Sequence, residues 1–346
     1  FSEVYPVENS GIFGDCVMEV KCFNLYDQQG CVLEVYIHHQ VVDGTSFFQV
    51  MQLWSDIVDA LLSADQTKMH QAALTAKQYI HTHHASVKAE RDYLEKEKCG
   101  KTTSSQLMLI NFWYQSIKMS PGAIMPSMPK GEMSSKVYNA QTLKTMKDNA
   151  ITHLSSREKW VSTNDVLCAH LWQHMVQSGV LPKLLSDDEA NQYPTQLFFA
   201  MNMRERKQSY YAPEYFGNAA LLVGTQELKV NDLIQSKCVP EMIRELVHKV
   251  GNDQTVEAAL TFFDQVLNQK QNMVLSRWSP FEPGHVLISQ WSSMPIYESA
   301  TFDEDFLGVP VLARPISSGG ISLPNIIILT PKKDNKGVVS WCTYPK

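Results

Sequence analysis

The sequence predicts an α/β or α+β layered fold in one large domain or two smaller ones. Three observations carry that prediction. Short runs rich in Val, Cys and aromatic residues alternate with segments of helical periodicity, over connections of uneven length. The 346 residues fit two domains at roughly 100–200 residues each. Apolar residues make up 44% and charged residues 19%, enough for a large core, which excludes disorder as the main state.

Residues 15–23 (DCVMEVKCF) and 31–38 (CVLEVYIH) read as two strands joined across the polar segment 24–30. Cys16, Cys22 and Cys31 lie in these runs and are assigned to the core. Beyond Asp43-Gly44, the apolar positions Phe47, Val50, Leu53 and Trp54 have helical spacing. A Thr or Ser can cap this helix, which runs to about Leu62. Residues 63–100 are polar and mixed in pattern, and read as a solvated stretch. His81, His83 and His84 lie close together there, without the converging Asp, Glu or Cys that a metal site needs. Residues 105–115 (SQLMLINFWYQ) read as a buried strand, and 120–131, with Pro121, Pro126 and Pro129, as a loop. Ser162 opens the next helix, with Asp165 at capping-box spacing, one carbon shorter than the usual Glu. Residues 197–203 read as a strand, 210–218 as a loop, and 241–250 and 255–273 as helices. Residues 286–291, 325–330 and 338–343 read as strands. No internal repeat is visible.

Several function classes are excluded. Thirty Lys and Arg against 36 Asp and Glu give a net charge of −6, without the basic excess of a nucleic-acid binder. No apolar run reaches the ~20 residues of a membrane span. Seven scattered cysteines without a C-x-x-C fit reduced thiols and a cytoplasmic location. The G-x-S-x-G elbow, the H-E-x-x-H zinc motif and the glycine-rich nucleotide loops are absent.

One cluster has chemistry in it: His38-His39-Gln40-Val41-Val42-Asp43-Gly44. A strand ends in two histidines and a helix begins just past a glycine. If strand geometry persists, His38 and His39 face opposite sides. A histidine at a strand end, with an ordinary pKa of about 6.5, is a workable general base toward a substrate hydroxyl. Asp43 either orients it, as in a triad, or fixes the turn by pairing with an Arg. Gly44 permits a tight strand-to-helix turn. The residues alone leave open that His39 and Asp43 are ordinary turn residues.

HHQVVDG resembles the H-x-x-x-D-G site of the BAHD acyl-CoA-dependent acyltransferases, and equally the H-H-x-x-x-D-G of peptide-synthetase condensation domains. The rest of the chain separates the two. Residues 162–172 (STNDVLCAHLW) are similar to the BAHD segment S-T-N-D-x-L-x-A-x-x-W. Asn202-Met-Arg204-Glu-Arg206 and Tyr215-Phe-Gly-Asn218 match N-x-R-x-R and Y-F-G-N. Ser289-Gln-Trp291, then Asp305-Phe306, fall where that family has S-x-W and D-F-G-W-G. The landmarks come in order and span the chain from Asp15 to its end.

The resemblance implies two domains of similar topology, each a mixed sheet flanked by helices, like chloramphenicol acetyltransferase, with a channel between them. It implies acyl-CoA as co-substrate, no permanently bound cofactor and no metal. The acceptor would be a small-molecule alcohol, with an amine as the alternative. His39 would deprotonate the acceptor, which attacks the thioester directly, without an acyl-enzyme. Asp43 would be structural, paired with an Arg, since an unpaired buried carboxylate is costly. Arg204, Arg206, Tyr215, Gly217 and Asn218 would be scaffold, and Asp305 a salt-bridge residue.

The pattern departs from the family at Asp305-Phe-Leu-Gly-Val-Pro310, which is one residue short and lacks the Trp, so this turn must differ. Ser289, Ser292 and Ser293 are candidate donors to a developing oxyanion. The domains are placed at 1–130, the remainder of a first domain, and 131–346. The histidine motif arrives at residue 39 and the chain starts with Phe1, so the first domain is expected to be completed by sequence further upstream or by a second chain. Otherwise a monomer is expected. Two further readings are a condensation-type domain acting on carrier-bound acyl groups and a non-catalytic binding protein on the same scaffold.

Overall fold

In the computed structural model, which describes residues 17–25, 30–39, 41–96, 131–155, 160–178, 180–182, 185–204, 210–268, 282–302, 307–315, 323–334 and 336–345, the chain divides into two units. The first takes residues from 1–85, 214–219 and 294–320. The second takes 86–213, 220–293 and 321–346.

In the first unit the Val- and Cys-rich runs pair as antiparallel strands, β1 (Met18–Asn24) and β2 (Cys31–Ile37), in the register Val20↔Val35 and Cys22↔Leu33. Cys22 is exposed and Cys31 half-buried, which corrects the assignment of both to the core. One face of a two-stranded sheet cannot bury every alternate residue.

Helix α1 (Gly44–Leu62) follows at once. Its cap is Asp43, not a Thr or Ser: the carboxylate accepts the Ser46 N–H at 3.0 Å. The helical period is as the spacing suggests, but its phase is shifted. Ser46, Phe48, Met51, Ser55 and Ala60 are buried, while Phe47, Val50, Leu53 and Trp54 are only half-buried. The Ser55 hydroxyl donates to the Thr301 carbonyl, and the Trp54 ring meets Phe302 edge-on at 5.2 Å.

Residues 63–100 are not a mere solvated stretch. Helix α2 (Gln66–Lys96) runs for 31 residues, after a turn in which Ala64 takes φ +51°. Asp65 starts it by accepting the Thr67 and Lys68 amides at 2.8 and 3.2 Å, and these bonds hold its carboxyl below the ordinary range. Most of this helix is polar, with Ala72 and Ser86 its buried positions among the described side chains, so periodicity gave little signal.

The second unit is a mixed sheet flanked by helices. Its strands are β3 (Gly131–Asn139), β4 (Pro194–Asn202), β5 (Ala220–Gly224), β6 (Leu228–Lys229), β7 (His285–Gln290), β8 (Ile326–Pro331) and β9 (Gly337–Pro345). Their order is β3-β9-β8-β7-β4-β5, with β6 also on β4. The β8–β7 and β7–β4 pairs are parallel and the rest antiparallel. Strand β4, inside the sheet between β7 and β5, is buried continuously from Thr195 to Phe199, as expected of a strand covered on both faces. Helix α3 (Ala140–Ile151) follows β3, capped by Asn139 through the Thr142 amide at 2.8 Å.

Helix α4 (Thr163–Gln177) supplies much of the core, with Leu167, Leu171, Trp172 and Met175 fully buried. Its capping box is complete: Asp165 N–H donates to the Ser162 hydroxyl at 3.1 Å and Ser162 N–H to the Asp165 carboxylate at 2.7 Å. Trp172 is anchored by its indole N–H on Thr195 Oγ1 at 2.8 Å. The remaining helices are α5 (Asp187–Gln192), α6 (Val230–Gln235), α7 (Val239–Val250) and α8 (Asp253–Asn268). The strand expected at 105–115 lies outside the described residues, as do the loop expected at 120–131, up to residue 130, and the helix expected beyond 268; Gly131 is the first residue of β3. No described helix is long and apolar enough to cross a membrane.

Candidate functional site

The His38–Gly44 cluster sits where β2 gives way to α1. The ladder ends with Ile37, and His38 N–H still donates to the Val17 carbonyl at 2.8 Å. The His38 carbonyl then accepts the Val41 N–H at 2.9 Å, closing a turn with His39 exposed inside it. Strand alternation therefore stops at His38 and does not impose opposite facing on the pair. Val42 and Asp43 go into the interior, each 4% exposed, and Gly44 is the first residue of α1.

Asp43 is a buried carboxylate with a defined load. Oδ1 accepts the Ser46 amide at 3.0 Å and Oδ2 accepts the Ala219 amide at 2.8 Å. It also stands at a helix N-terminus, where the dipole favours negative charge. Ser46, fully buried, accepts the Gly217 N–H on its hydroxyl at 3.0 Å. Asn218 donates its side-chain amide to the His39 carbonyl at 2.7 Å. Segment 214–219 is thus laid along the turn that carries His39.

The other side of this segment meets α2. Thr82 Oγ1 donates to the Glu214 carbonyl at 3.2 Å, and His83 Nδ1 lies 3.0 Å from the Phe216 carbonyl. The His83 ring stacks on Tyr215 at 5.9 Å, and Tyr79 stacks on Phe216 at 5.6 Å. Burial, with the Asp56 carboxylate nearby, raises the Tyr79 phenol above its ordinary value and keeps it neutral. Gly217 takes φ +144°, and a Cβ there would stand 2.5 Å from the Tyr215 hydroxyl. Only glycine fits that position.

Of the other candidates, Arg204, Ser289 and Ser292 belong to the second unit. Arg204, 4% exposed at the end of β4, is tied to Asn202 Oδ1 through its amide at 3.0 Å and its guanidinium at 3.2 Å. Ser289 Oγ accepts the Trp291 indole N–H at 2.9 Å, and Ser292 Oγ accepts the Gln290 side-chain amide at 2.7 Å. Arg206 and Asp305 are outside the described residues. Beyond Asp305, Gly308 takes φ +68° and its carbonyl accepts the Phe302 amide at 3.0 Å. A left-handed glycine turn therefore stands in the shortened loop.

The sequence reading missed Ser46, Tyr79, Thr82 and His83 as parts of this arrangement. Tyr79, Thr82 and His83 have i, i+3, i+4 spacing, a signal that exists only once the segment is read as a helix. It also missed Arg244 of α7, which holds the Asp165 carboxylate with Nε at 2.8 Å and Nη2 at 2.6 Å and lies over the Trp160 ring.

The chain is similar to known proteins over most of its length. Hydroxycinnamoyltransferase 1 of Oryza sativa subsp. japonica is 21% identical over 319 residues, covering 90% of this chain and 62% of that protein. Hydroxycinnamoyl-CoA:5-hydroxyanthranilate N-hydroxycinnamoyltransferase of Avena sativa is 22% identical over 343 residues, covering 96% of this chain and 66% of that protein. The chain thus spans just under two thirds of the length of these curated relatives. Among solved structures, F. graminearum TRI101, complexed with coenzyme A and deoxynivalenol, shares the fold, with a TM-score of 0.63 at 14% identity over 95% of this chain and 66% of that one. The model of the Transferase family matches residues 17–346, nearly the whole chain, and the chain belongs to that family, the BAHD acyltransferases that its motifs resemble.

Proposed function

We propose that the protein transfers an acyl group from acyl-CoA to a small-molecule alcohol, with His39 as general base. The observation that carries this reading is the turn itself. A histidine is presented to solvent on a backbone held by Asn218 at its own carbonyl and by Asp43 four residues on. A base works only if its position is set before the substrate arrives.

In this mechanism the neutral His39 imidazole takes the acceptor proton as the oxygen attacks the thioester carbonyl. A tetrahedral oxyanion forms, the C–S bond breaks, and the thiolate of CoA leaves with the proton from the imidazolium. No acyl-enzyme is needed. Asp43 does not relay the proton. It anchors the turn, and Gly44 lets α1 begin directly behind it. Arg204 and Asn202 act as scaffold, and Arg206 and Asp305 are proposed in the same role. Acyl-CoA is a co-substrate, not a resident group, and the reduced thiols suit a cytoplasmic enzyme. An amine acceptor is the second reading, favoured by the N-acyl transfer named for the Avena sativa relative.

The test is a panel of acyl-CoAs, hydroxycinnamoyl-CoA included, against alcohols and amines such as 5-hydroxyanthranilate, following free thiol release. His39→Ala should lower turnover by about 10²–10⁴-fold, the contribution of a positioned base, with the fold intact. A rate within a few-fold of the parent would sink the mechanism.

A further inference from the structure

We infer that His83 is a positioning residue for His39, acting through the Phe216–Gly217 peptide and Asn218. The inference rests on His39 being the base of the proposed reaction.

The peptide group between Phe216 and Gly217 is held at both ends by different helices. Its carbonyl oxygen is 3.0 Å from His83 Nδ1 on α2, and its N–H donates to Ser46 Oγ on α1 at 3.0 Å. A carbonyl oxygen only accepts, so Nδ1 carries the proton and His83 is the donor. This is the one peptide in the segment that most needs holding. Gly217 sits at φ +144°, in a region where glycine has more freedom than any other residue, and an X–Gly peptide plane can flip at low cost. A flip would turn the carbonyl from His83 and the amide from Ser46, and with both bonds gone an uncompensated rotation about the Gly217 φ would swing the next residue. That residue is Asn218, whose side chain holds the His39 carbonyl at 2.7 Å. Two residues thus separate the His83 contact from the backbone of His39.

The His83 ring does a second thing. It lies within 20° of parallel over Tyr215, whose side chain is buried and folds back over Gly217. His83 is itself exposed, so water competes for its hydrogen bond, and the stacked ring keeps the donor in place. Thr82 holds the Glu214 carbonyl and Tyr79 stacks on the Phe216 ring, and neither is hydrogen-bonded to that peptide.

Two variants separate the contributions. His83→Asn keeps a donor near the Nδ1 position and loses the ring; His83→Phe keeps the ring and loses the donor. Hydrogen exchange of the Gly217 amide, read on the full chain without substrate, should rise about fivefold in His83→Phe and stay near parent in His83→Asn. With the best acyl-CoA and acceptor pair of the panel, His83→Phe should lower kcat about tenfold. KM should stay within twofold and the melting temperature should not change. His83→Asn should recover most of that loss, and adding His83→Phe to Asn218→Ala should cost nothing further. Parent-like Gly217 exchange in His83→Phe overturns the inference whatever the turnover. Raised exchange with unchanged kcat, or losses that multiply in the double variant, overturns it by leaving His83 structural only. If the parent chain cleaves no thioester, the acyl-transfer reading fails, and the positioning role with it, while the exchange data still report on the bond.

Discussion

Replacing Asp43 by Ala removes, among the described contacts, two bonds of different kinds. The first is the cap of α1, the Ser46 amide on Oδ1, and an N-cap aspartate replaced by alanine costs about 1 kcal/mol. The second is the Ala219 amide on Oδ2, a charge-assisted bond made out of water. Its loss leaves a buried N–H without its acceptor, at about 1–3 kcal/mol. Together they predict a loss of about 2–4 kcal/mol, or roughly 5–10 °C in melting temperature. Asp43→Asn should fall between parent and Asp43→Ala, because one amide oxygen still accepts while the –NH₂ group meets the second donor. Calorimetry gives the melting temperatures, and hydrogen exchange at Ser46 and Ala219 localises the loss. Turnover should fall in both variants, since the turn holding His39 loosens. Parent stability in Asp43→Ala, with parent protection of both amides, would refute the anchoring role.

Two glycines with positive φ should respond differently to alanine. Gly217→Ala places a methyl against the Tyr215 hydroxyl as well as straining the backbone, and should cost more than ~2 kcal/mol; Gly308→Ala meets open space and should cost only the ~1–2 kcal/mol of a left-handed L-residue, both read by denaturant titration. Arg244→Met strands Asp165, which is 1% exposed, and should cost about 3–5 kcal/mol; Arg244→Met with Asp165→Asn should recover part of that in the same titration. Burial, then the charge of Lys136 and neighbouring His174, lowers the His170 pKa. The unfolded chain therefore binds more protons just below the ordinary value of about 6.5, so stability should fall on acidification through that window and level off below the folded value. His170→Gln should flatten this slope in melts taken from pH 7.5 to 5.

How far the sequence could be read depended on how local the signal was. The capping box of Ser162 and Asp165 was visible because its partners are three residues apart, and it formed as spaced. Its outer partner was not visible, because Arg244 lies on another helix and only the fold brings it to Asp165. Strand β4 stood out as a continuous apolar run, while β3, which alternates serines, Lys136 and Glu132 along its length, did not. Helix α2 escaped because a polar helix leaves no apolar stripe, and with it went the face that carries Tyr79, Thr82 and His83. The His38–Gly44 cluster was legible as a candidate site because a strand end, two histidines and a glycine fall within seven residues. What anchors it was not, since Ala219 and Asn218 come from a segment far along the chain.

The position of β9 bears on how such a chain is made. It is the last of the nine described strands to be synthesised, yet it lies inside the sheet, between β3 and β8. Strand β3 is translated long before it and must wait for a register that pairs Gly131 with Pro345. Until residues 337–345 leave the ribosome, both β3 and β8 present an open edge, and closing the sheet then requires contacts of very high sequence separation, which form slowly. A stop codon shortly before Gly337 would therefore do more than shorten the chain. It would leave two unsatisfied edges in the middle of the sheet, and the nascent protein would depend on chaperones to keep those edges from pairing with a neighbour.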